Sequence, residues 1–467
     1  MDKLIWLLFT VNMLFQASTC IFAPFFPSIA KDERHVSSFL IGVCVSMNAL
    51  SFVIASILYA HVKIKRRASM YLGLSLTVPA VAGFGLLYWV NNSTLFITIA
   101  IILRFIGGIG QGFLSTSSYA MASARYKDNL HEKVGLLESG NGVGFLVGPI
   151  AGGIIYQFTH FSVPFFIFGV LILILMFMLR NHLDEDLDSI PVKQEGDIKV
   201  GFRYLMKHKR IFFAALSQFF TLCVLTFGQP IFGERLQKDY SFSFALIGLC
   251  FAIPTLAYAL TGPLLLKKFT RKFEFRTTIM IGFLILVAAG IFIGPSRVCK
   301  LPDTSAPMMI FGLYLLGTGV ACTIIPIIPE MMETVEQNER AHDKVSAIFN
   351  IFGGFGQIIS PPVAGALVDK VGFNYSLDFC AFSVLLFLIL YFVFCDGVGA
   401  LQLTVENFKE NHEKELTTEQ TEDDSLPGTE SPSPANESDY DQNISSNLNE
   451  SSMCREKTIV LDGEEDL

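Results

Sequence analysis

Three ionisable side chains lie within long apolar stretches of this sequence, where a charge is costly and is usually kept for a function. The first is Arg104, ten residues into an apolar run over 94–124 and followed by the close-packing glycines Gly107, Gly108 and Gly110. At about 1.5 Å of rise per helical residue, Arg104 should lie near the middle of a membrane. It could line a central cavity and couple to a carboxylate that loads and releases a proton. Alternatively, it could be a structural arginine that bonds to carbonyl groups of a facing helix.

The second is Glu138, about one and a half turns into the next apolar run, with Asn141 three residues later on the same helical face. A carboxylate held apart from water at this depth could take up and release a proton. Arg104 could reach toward it, although their depths differ by roughly 7 Å. The alternative is a carboxylate that snorkels to the interface or caps the helix.

The third is Glu330, which ends the run Thr323-Ile-Ile-Pro-Ile-Ile-Pro-Glu330. Two prolines three residues apart interrupt the helical hydrogen bonds, and the freed carbonyl groups are tolerated only beside a cavity or in packed protein. An acid on such a broken helix suits a cation. Because further glutamates follow it, a solvated helix end is an equally open interpretation.

Uncharged polar side chains on two other apolar runs complete the candidate binding site. Asn12 and Gln16 are four residues apart and therefore share one face of the first run. Gln218 and Gln229 occupy the seventh run. These side chains could contact a ligand or form hydrogen bonds between helices.

Motifs of catalysis and of cofactor binding do not occur in the sequence. It has no G-x-S-x-G, Walker A, H-E-x-x-H or Rossmann glycine pattern. Its nine cysteines have no Cys-x-x-Cys or Cys/His spacing, so neither a metal site nor a disulfide framework is expected. We therefore predict a protein that is not an enzyme and has no cofactor, and any active transport by it must use a gradient.

The elements that must position these residues are membrane helices. Of 467 residues, 52% are hydrophobic and only 16% are charged, which is typical of a protein that crosses the membrane many times. Long apolar runs in lipid can only be helices, because their backbone groups must bond internally. About twelve runs can be marked, at 4–29, 36–60, 69–90, 94–124, 133–156, 163–180, 210–233, 243–265, 275–295, 307–331, 342–368 and 376–396.

The loops between these runs predict the orientation. Lysine and arginine concentrate in alternate loops, whereas the loops at 91–93 and 160–161 are poor in both. Because basic loops stay in the cytosol, both termini should be cytosolic. The basic residues that carry this argument are Lys63, Lys65, Arg66, Arg67, Arg125, Lys127, Lys133, Lys267, Lys268, Arg271, Lys272 and Arg276.

A glycine and proline motif occurs twice, at equivalent places in two halves of the chain. The stretch 144–153 contains Gly144, Gly148, Pro149, Gly152 and Gly153, and the stretch 356–365 contains Gly356 and Pro361. Small residues four apart let helix backbones touch, and the prolines let helices bend. Parallel repeats of this kind are typical of transporters whose halves rock against each other.

We therefore predict an all-α membrane protein with twelve transmembrane helices in two pseudo-symmetric six-helix bundles. The first bundle spans 1–182 and the second 210–397, joined by a cytosolic connector over 183–209. Residues 398–467 contain 18 Asp and Glu against four Lys and Arg, so they should form a disordered acidic cytosolic tail that binds no nucleic acid. The run Glu456–Leu461 could recruit trafficking adaptors as a sorting signal.

The quoted motifs resemble those of the major facilitator superfamily. Arg104-Phe-Ile-Gly-Gly-Ile-Gly resembles its arginine motif on the fourth helix, and Gly144–Gly153 resembles the fifth-helix motif of its proton-coupled antiporters. A narrower resemblance, carried by Ala23–Pro27, Leu137-Glu138 and Ile324–Glu330, is to the polyamine branch of the vesicular amine transporter family. It implies exchange of luminal protons for cytosolic amines such as spermidine or spermine in a vesicle membrane.

The chain departs from that branch at the seventh helix, where Gln229-Pro230 stands in place of an Asp-Pro pair. It therefore has one cavity carboxylate fewer for a polyvalent cation. The leading hypothesis is a proton-coupled antiporter of organic cations that works by alternating access in the lipid bilayer. The alternatives are a general drug or organic-anion carrier of the same superfamily and a non-transporting membrane sensor or scaffold.

Overall fold

The computed structural model describes residues 3–61, 64–126, 129–180, 205–265, 274–302, 305–333, 339–395, 397–400 and 403. Within these ranges the chain is helical and contains no strand, and twelve segments are long and apolar enough to cross a membrane. The predicted all-α fold with twelve spans is thus confirmed. Most of the predicted connector and tail, the sorting run 456–461 and the loop residues 63, 127, 267, 268, 271 and 272 lie outside the described residues.

Among the described residues, the first half of the chain forms seven α-helices. They are α1 (Lys3–Cys20), α2 (Phe26–Asp32), α3 (Ser38–His61), α4 (Arg66–Leu86), α5 (Ser93–Arg125), α6 (Leu130–Phe158) and α7 (Ser162–Arg180). In this bundle α1 packs on α6, while α3 and α4 pack on α5.

The second half repeats the arrangement. Its helices are α8 (Lys209–Phe227), α9 (Phe232–Tyr240), α10 (Phe244–Leu264), α11 (Phe275–Ile293), α12 (Ala306–Glu333), α13 (Glu339–Val371) and α14 (Phe373–Phe394). Here α8 packs on α13, and α12 packs on α10 and α11.

Two predicted helices are shorter than the apolar runs that suggested them. The run 4–29 was predicted as one helix, but α1 ends at Cys20 and a turn leads to the separate helix α2. The run 210–233 likewise divides between α8 and α9. The cause is proline: Pro24 and Pro230 lie in the two turns, and proline lacks the N–H that a continuous helix requires.

Glycines on α6 bring it against the backbone of α1. A Cβ atom added at Gly140 would lie 2.9 Å from the carbonyl oxygen of Phe9, and one at Gly148 would lie 2.5 Å from that of Ala17. Gly144 and Gly152 continue the row at the same four-residue interval, facing Met13 and Ile21. On α13, Gly356 faces Phe219 of α8 in the equivalent way, which reflects the internal repeat.

The two bundles meet where α6 crosses α10 and where α3 crosses α13. At these crossings Gly153 lies against Phe244, Gly248 against Pro149, and Gly42 against Pro361, each on a backbone carbonyl. We call the end of the molecule that contains these contacts, together with α2 and α9, the closed end.

Polar contacts reinforce the closed end. Lys31 on α2 lies 2.9 Å from Glu234 on α9, and Lys238 lies 2.6 Å from Asp32, so two ion pairs, the gate ion pairs, join the bundles. The last turns of α13 and α6 also cap helices of the other bundle. The Asp369 carboxylate accepts the backbone N–H groups of Ser38 and Phe39 at the start of α3, at 3.2 and 3.0 Å. The Gln157 side-chain oxygen accepts a hydrogen bond from the backbone N–H of Phe244, at the start of α10, at 2.9 Å.

Candidate functional site

Arg104 is enclosed within the first bundle. Its Nη1 donates to the carbonyl oxygen of Thr19 on α1 at 3.0 Å, and its guanidinium lies 4.2 Å from the centroid of the Phe22 ring. The surrounding cavity of about 30 Å³, lined by α1, α3, α4, α5 and α7, has room for about one water molecule. This geometry matches the structural alternative, in which the arginine bonds to a facing helix. Among the described residues no carboxylate contacts Arg104, so the possible pair with Glu138 does not form in this structure.

Glu138 forms a hydrogen-bonded group with two neighbours, which we call the Glu138 cluster. Tyr119 on α5 donates its hydroxyl to Glu138 Oε1 at 2.6 Å. Asn141 Nδ2 donates to the Tyr119 hydroxyl at 3.1 Å and to Glu138 Oε2 at 3.3 Å. The predicted neighbours Glu138 and Asn141 are therefore brought together. Tyr119 was not predicted, because it carries no charge near neutral pH and lies near the end of its helix.

The Glu138 cluster faces the space between the bundles. Glu138 precedes Pro149 by about three helical turns, so the two residues share one face of α6. Pro149 is the residue that Gly248 of α10 touches. The Glu138 side chain is exposed, and its charge acts on Tyr258, also of α10. A cation that entered between the bundles could therefore reach this carboxylate.

Glu330 is buried inside the second bundle, with its side chain 1% exposed. Arg210 Nε on α8 donates to Glu330 Oε1 at 2.8 Å, and Arg276 Nε on α11 lies 3.9 Å from the same oxygen. In this conformation Glu330 is therefore neither a solvated helix end nor a cavity acid. Its ion pairs with Arg210 and Arg276 join α12 to α8 and α11.

The carboxylates around Glu330 are the only described group close enough to share a metal ion. Oxygens of Glu274, Glu330 and Glu333 lie within 4.8 Å of one another. Arg276 lies 3.1 Å from Glu274, and Arg210 lies 3.6 Å from Glu333. These carboxylates are therefore already paired with arginines. The arrangement fits an internal ion-pair network better than a metal site.

The uncharged candidates are mainly contacts between or within helices. Asn12 is buried and donates to the Leu8 carbonyl at 2.8 Å, and Gln16 accepts from Gln111 of α5 at 3.1 Å. Gln218 is buried beside Gly353, and among the described residues its Oε1 has no hydrogen-bond partner. Gln229 lies in the turn between α8 and α9, where its backbone N–H donates to Thr226 at 3.2 Å. Of the predicted polar stripe on the first helix, Gln16 thus connects α1 to α5.

Comparison with known proteins is consistent with this architecture. The family model for the Major Facilitator Superfamily matches residues 7–342 and 214–426. Among solved structures, the nucleoside transporter NupG superposes with a TM-score of 0.64 at 14% identity, covering 83% of this chain and 98% of that one. A bacterial homologue of the human lysosomal transporter Spinster, in an inward-facing and unoccupied conformation, gives 0.65 at 13% identity, over 86% and 97%.

Curated relatives are transporters as well. The MFS-type transporter SLC18B1 of Rattus norvegicus is 24% identical over 375 residues, covering 79% of this chain and 80% of the relative. The chromaffin granule amine transporter of Homo sapiens is 25% identical over 314 residues, covering 64% and 56%. The multi-drug resistance efflux pump PmrA of Streptococcus pneumoniae is 23% identical over 398 residues, covering 81% and 93%. With its twelve spans in two bundles, the chain belongs to the major facilitator superfamily.

Proposed function

We propose that the protein exchanges organic cations, polyamines such as spermidine first among them, for protons across the membrane of an acidic organelle. The observation that carries the proposal is the Glu138 cluster, a carboxylate within the span that faces the space between two bundles. Relatives whose names include amine transport, among them the chromaffin granule and synaptic vesicular amine transporters, support an amine as the substrate.

In this proposal the Glu138 carboxylate binds either an ammonium group or a proton. An ammonium nitrogen about 4 Å from a carboxylate gains roughly 4 kcal/mol at an effective dielectric constant near 20. Protonation of Glu138 from the acidic side removes that gain and releases the amine. Loss of the proton to the cytosol then restores the carboxylate. Tyr119 and Asn141 orient the two oxygens throughout the cycle.

In this proposal the basic loops lie in the cytosol, so the closed end faces the lumen. The structure then represents a cytosol-facing state, in which substrate enters from the cytosol toward Glu138. Rocking of the bundles would break the gate ion pairs and the interbundle caps, opening the closed end to the lumen. Arg104 and Glu330 would keep each bundle rigid during this motion, because each bonds within its own bundle.

The direct test is uptake of radiolabelled spermidine into proteoliposomes of the purified protein with an acidic interior. Uptake that stops with a protonophore and with Glu138→Gln would support the proposal. Glu132→Gln is the matched control, since Glu132 is an exposed acid on the same helix that forms its ion pair with the adjacent Lys133. Full proton-driven uptake by Glu138→Gln would exclude Glu138 as the proton carrier.

A second candidate function is the export of chemically diverse drugs. It is favoured by the match to PmrA, whose name describes a multi-drug efflux pump and of which 93% is covered. Competition of spermidine uptake by a panel of aromatic cations and anions separates the two functions. A polyamine carrier should discriminate strongly by charge and chain length, whereas a drug carrier should accept bulky aromatic cations.

A further inference from the structure

Besides the small cavity at Arg104, a larger polar cavity of about 340 Å³ lies at the closed end. It is on the far side of the interbundle contacts from Glu138. It lies between α2, the turn after α4, the end of α6 and the first residue of α10. We call this cavity the vestibule. The lining residues that recognise a ligand are Glu33, Tyr88, Tyr156, Phe161 and Phe244.

The carboxylate of Glu33 supplies negative charge to the vestibule. Glu33 belongs to the charged run Lys31-Asp32-Glu33-Arg34, whose other members are engaged elsewhere. Lys31 and Asp32 form the gate ion pairs, and Arg34 donates to Asn91 Oδ1 and to a backbone carbonyl at 3.0 and 2.9 Å. Among the described residues no cation pairs with Glu33. Its carboxylate is therefore available to a cation in the cavity.

Aromatic rings held by packing form the walls. Tyr156 stacks on Phe25 with ring centroids 4.5 Å apart, and its other neighbour Phe244 meets it edge-on at 4.7 Å. Phe161 is 3% exposed, so its ring is fixed as well. The Tyr88 ring, by contrast, is 46% exposed. Fixed aromatic faces beside one carboxylate are the combination that recognises organic ammonium ions through cation–π and charge attraction.

We propose that the vestibule binds an organic ammonium ion from the closed side of the protein. This inference goes beyond the proposed function, because the vestibule is separated from Glu138 by the interbundle contacts. Since Phe244 belongs to the second bundle and the other lining residues to the first, a bound cation contacts both bundles and stabilises the closed state. Organic cation that accumulates on this side would therefore slow further transport.

The chain provides a reporter for this site. It has two tryptophans, and the ring of Trp89 lies 5.8 Å from that of Tyr88 at the vestibule, whereas Trp6 is on α1. In a Trp6→Phe background, the full-length protein in nanodiscs is titrated with tetraethylammonium while Trp89 emission is recorded. We expect a saturable change, with Kd raised about tenfold by Glu33→Gln and about fivefold by Phe244→Leu.

Two control variants show which site responds. Glu132→Gln, which removes an exposed acid at the other end of α6, should leave the Kd unchanged. Glu138→Gln should retain the Trp89 response although spermidine uptake is lost, so a failed vestibule and a failed transport site give different results. If Trp89 shows no saturable response, or if both Glu33→Gln and Phe244→Leu stay within about twofold of the parent Kd, the proposal is wrong. Size-exclusion profiles establish that each variant is folded. If Glu33→Gln does not fold, the Kd of Phe244→Leu alone decides the test.

Discussion

Adding one methyl group at Gly248 should shift the protein away from the closed state. A Cβ atom there would overlap the carbonyl oxygen of Pro149 and lie 3.0 Å from the Pro149 carbonyl carbon and 3.3 Å from Ile150 Cα. All three are backbone atoms, so relief requires α10 and α6 to separate. Overpacking of this kind costs about 1–3 kcal/mol, and only in the conformation where the helices touch. The closed population should therefore fall by roughly 5- to 150-fold relative to the open one.

The shift can be measured as a distance between the bundles. Thr159 and Val298 are exposed and lie at the closed end of the first and second bundle, respectively. Spin labels are attached at these two positions in a background lacking the exposed Cys299 and the tail Cys454. The distance between the labels, measured by double electron–electron resonance, reports the opening. Gly248→Ala should move the distribution to longer distances. Gly142→Ala is the control, because nothing lies within 4 Å of a Cβ atom at that position of α6. An unchanged distribution for Gly248→Ala, or the same shift in both variants, would refute the reasoning.

Four further changes test the site and its supports. Tyr119→Phe should lower spermidine uptake, because Glu138 Oε1 would lose the hydroxyl group that orients it at 2.6 Å; uptake equal to that of the parent protein would contradict this. Arg210→Met should destabilise the protein by about 3–5 kcal/mol, since the buried Glu330 carboxylate would lose its closest partner, as measured by thermal unfolding in detergent. Glu330→Gln should keep proton-driven uptake in the same proteoliposome assay; loss of coupling without unfolding would return Glu330 to the mechanism. Gly148→Ala should lower the unfolding midpoint through a cost of about 1–3 kcal/mol against α1, and a neutral result would show that α1 can move aside.

The helices and their repeat could be predicted because lipid leaves few alternatives. Apolar runs of spanning length must be helices, and the motif at 144–153 recurs at 356–365. The divisions after Cys20 and Phe227 were missed, because an apolar run that continues through a proline turn keeps its hydropathy. Length and composition indicate how many spans there are, but they do not show where a helix divides at a proline turn, as at Pro24 and Pro230.

The site was harder to predict, since depth along a helix does not specify the direction of a side chain. Arg104 and Glu138 were both placed inside the membrane, but rotation of α5 directs Arg104 toward Thr19, away from Glu138. The Arg210 partner of Glu330 is 120 residues away in sequence, and no local pattern reports such a pairing. Tyr119 is uncharged near neutral pH, so a search for costly charges could not find it.

The reciprocal caps at the closed end bear on how easily the protein can change state. When the bundles separate, the amide groups of Ser38, Phe39 and Phe244 exchange Asp369 and Gln157 for water. A hydrogen bond exchanged in this way changes the free energy by only about 0.5–1.5 kcal/mol, or about 1.5–3 kcal/mol where the acceptor is charged. A seal made only of apolar side chains would have to hydrate its whole surface each time it opened. A polar seal that water can replace lowers the free-energy cost of opening, so the binding of one ion can shift the balance between the two states.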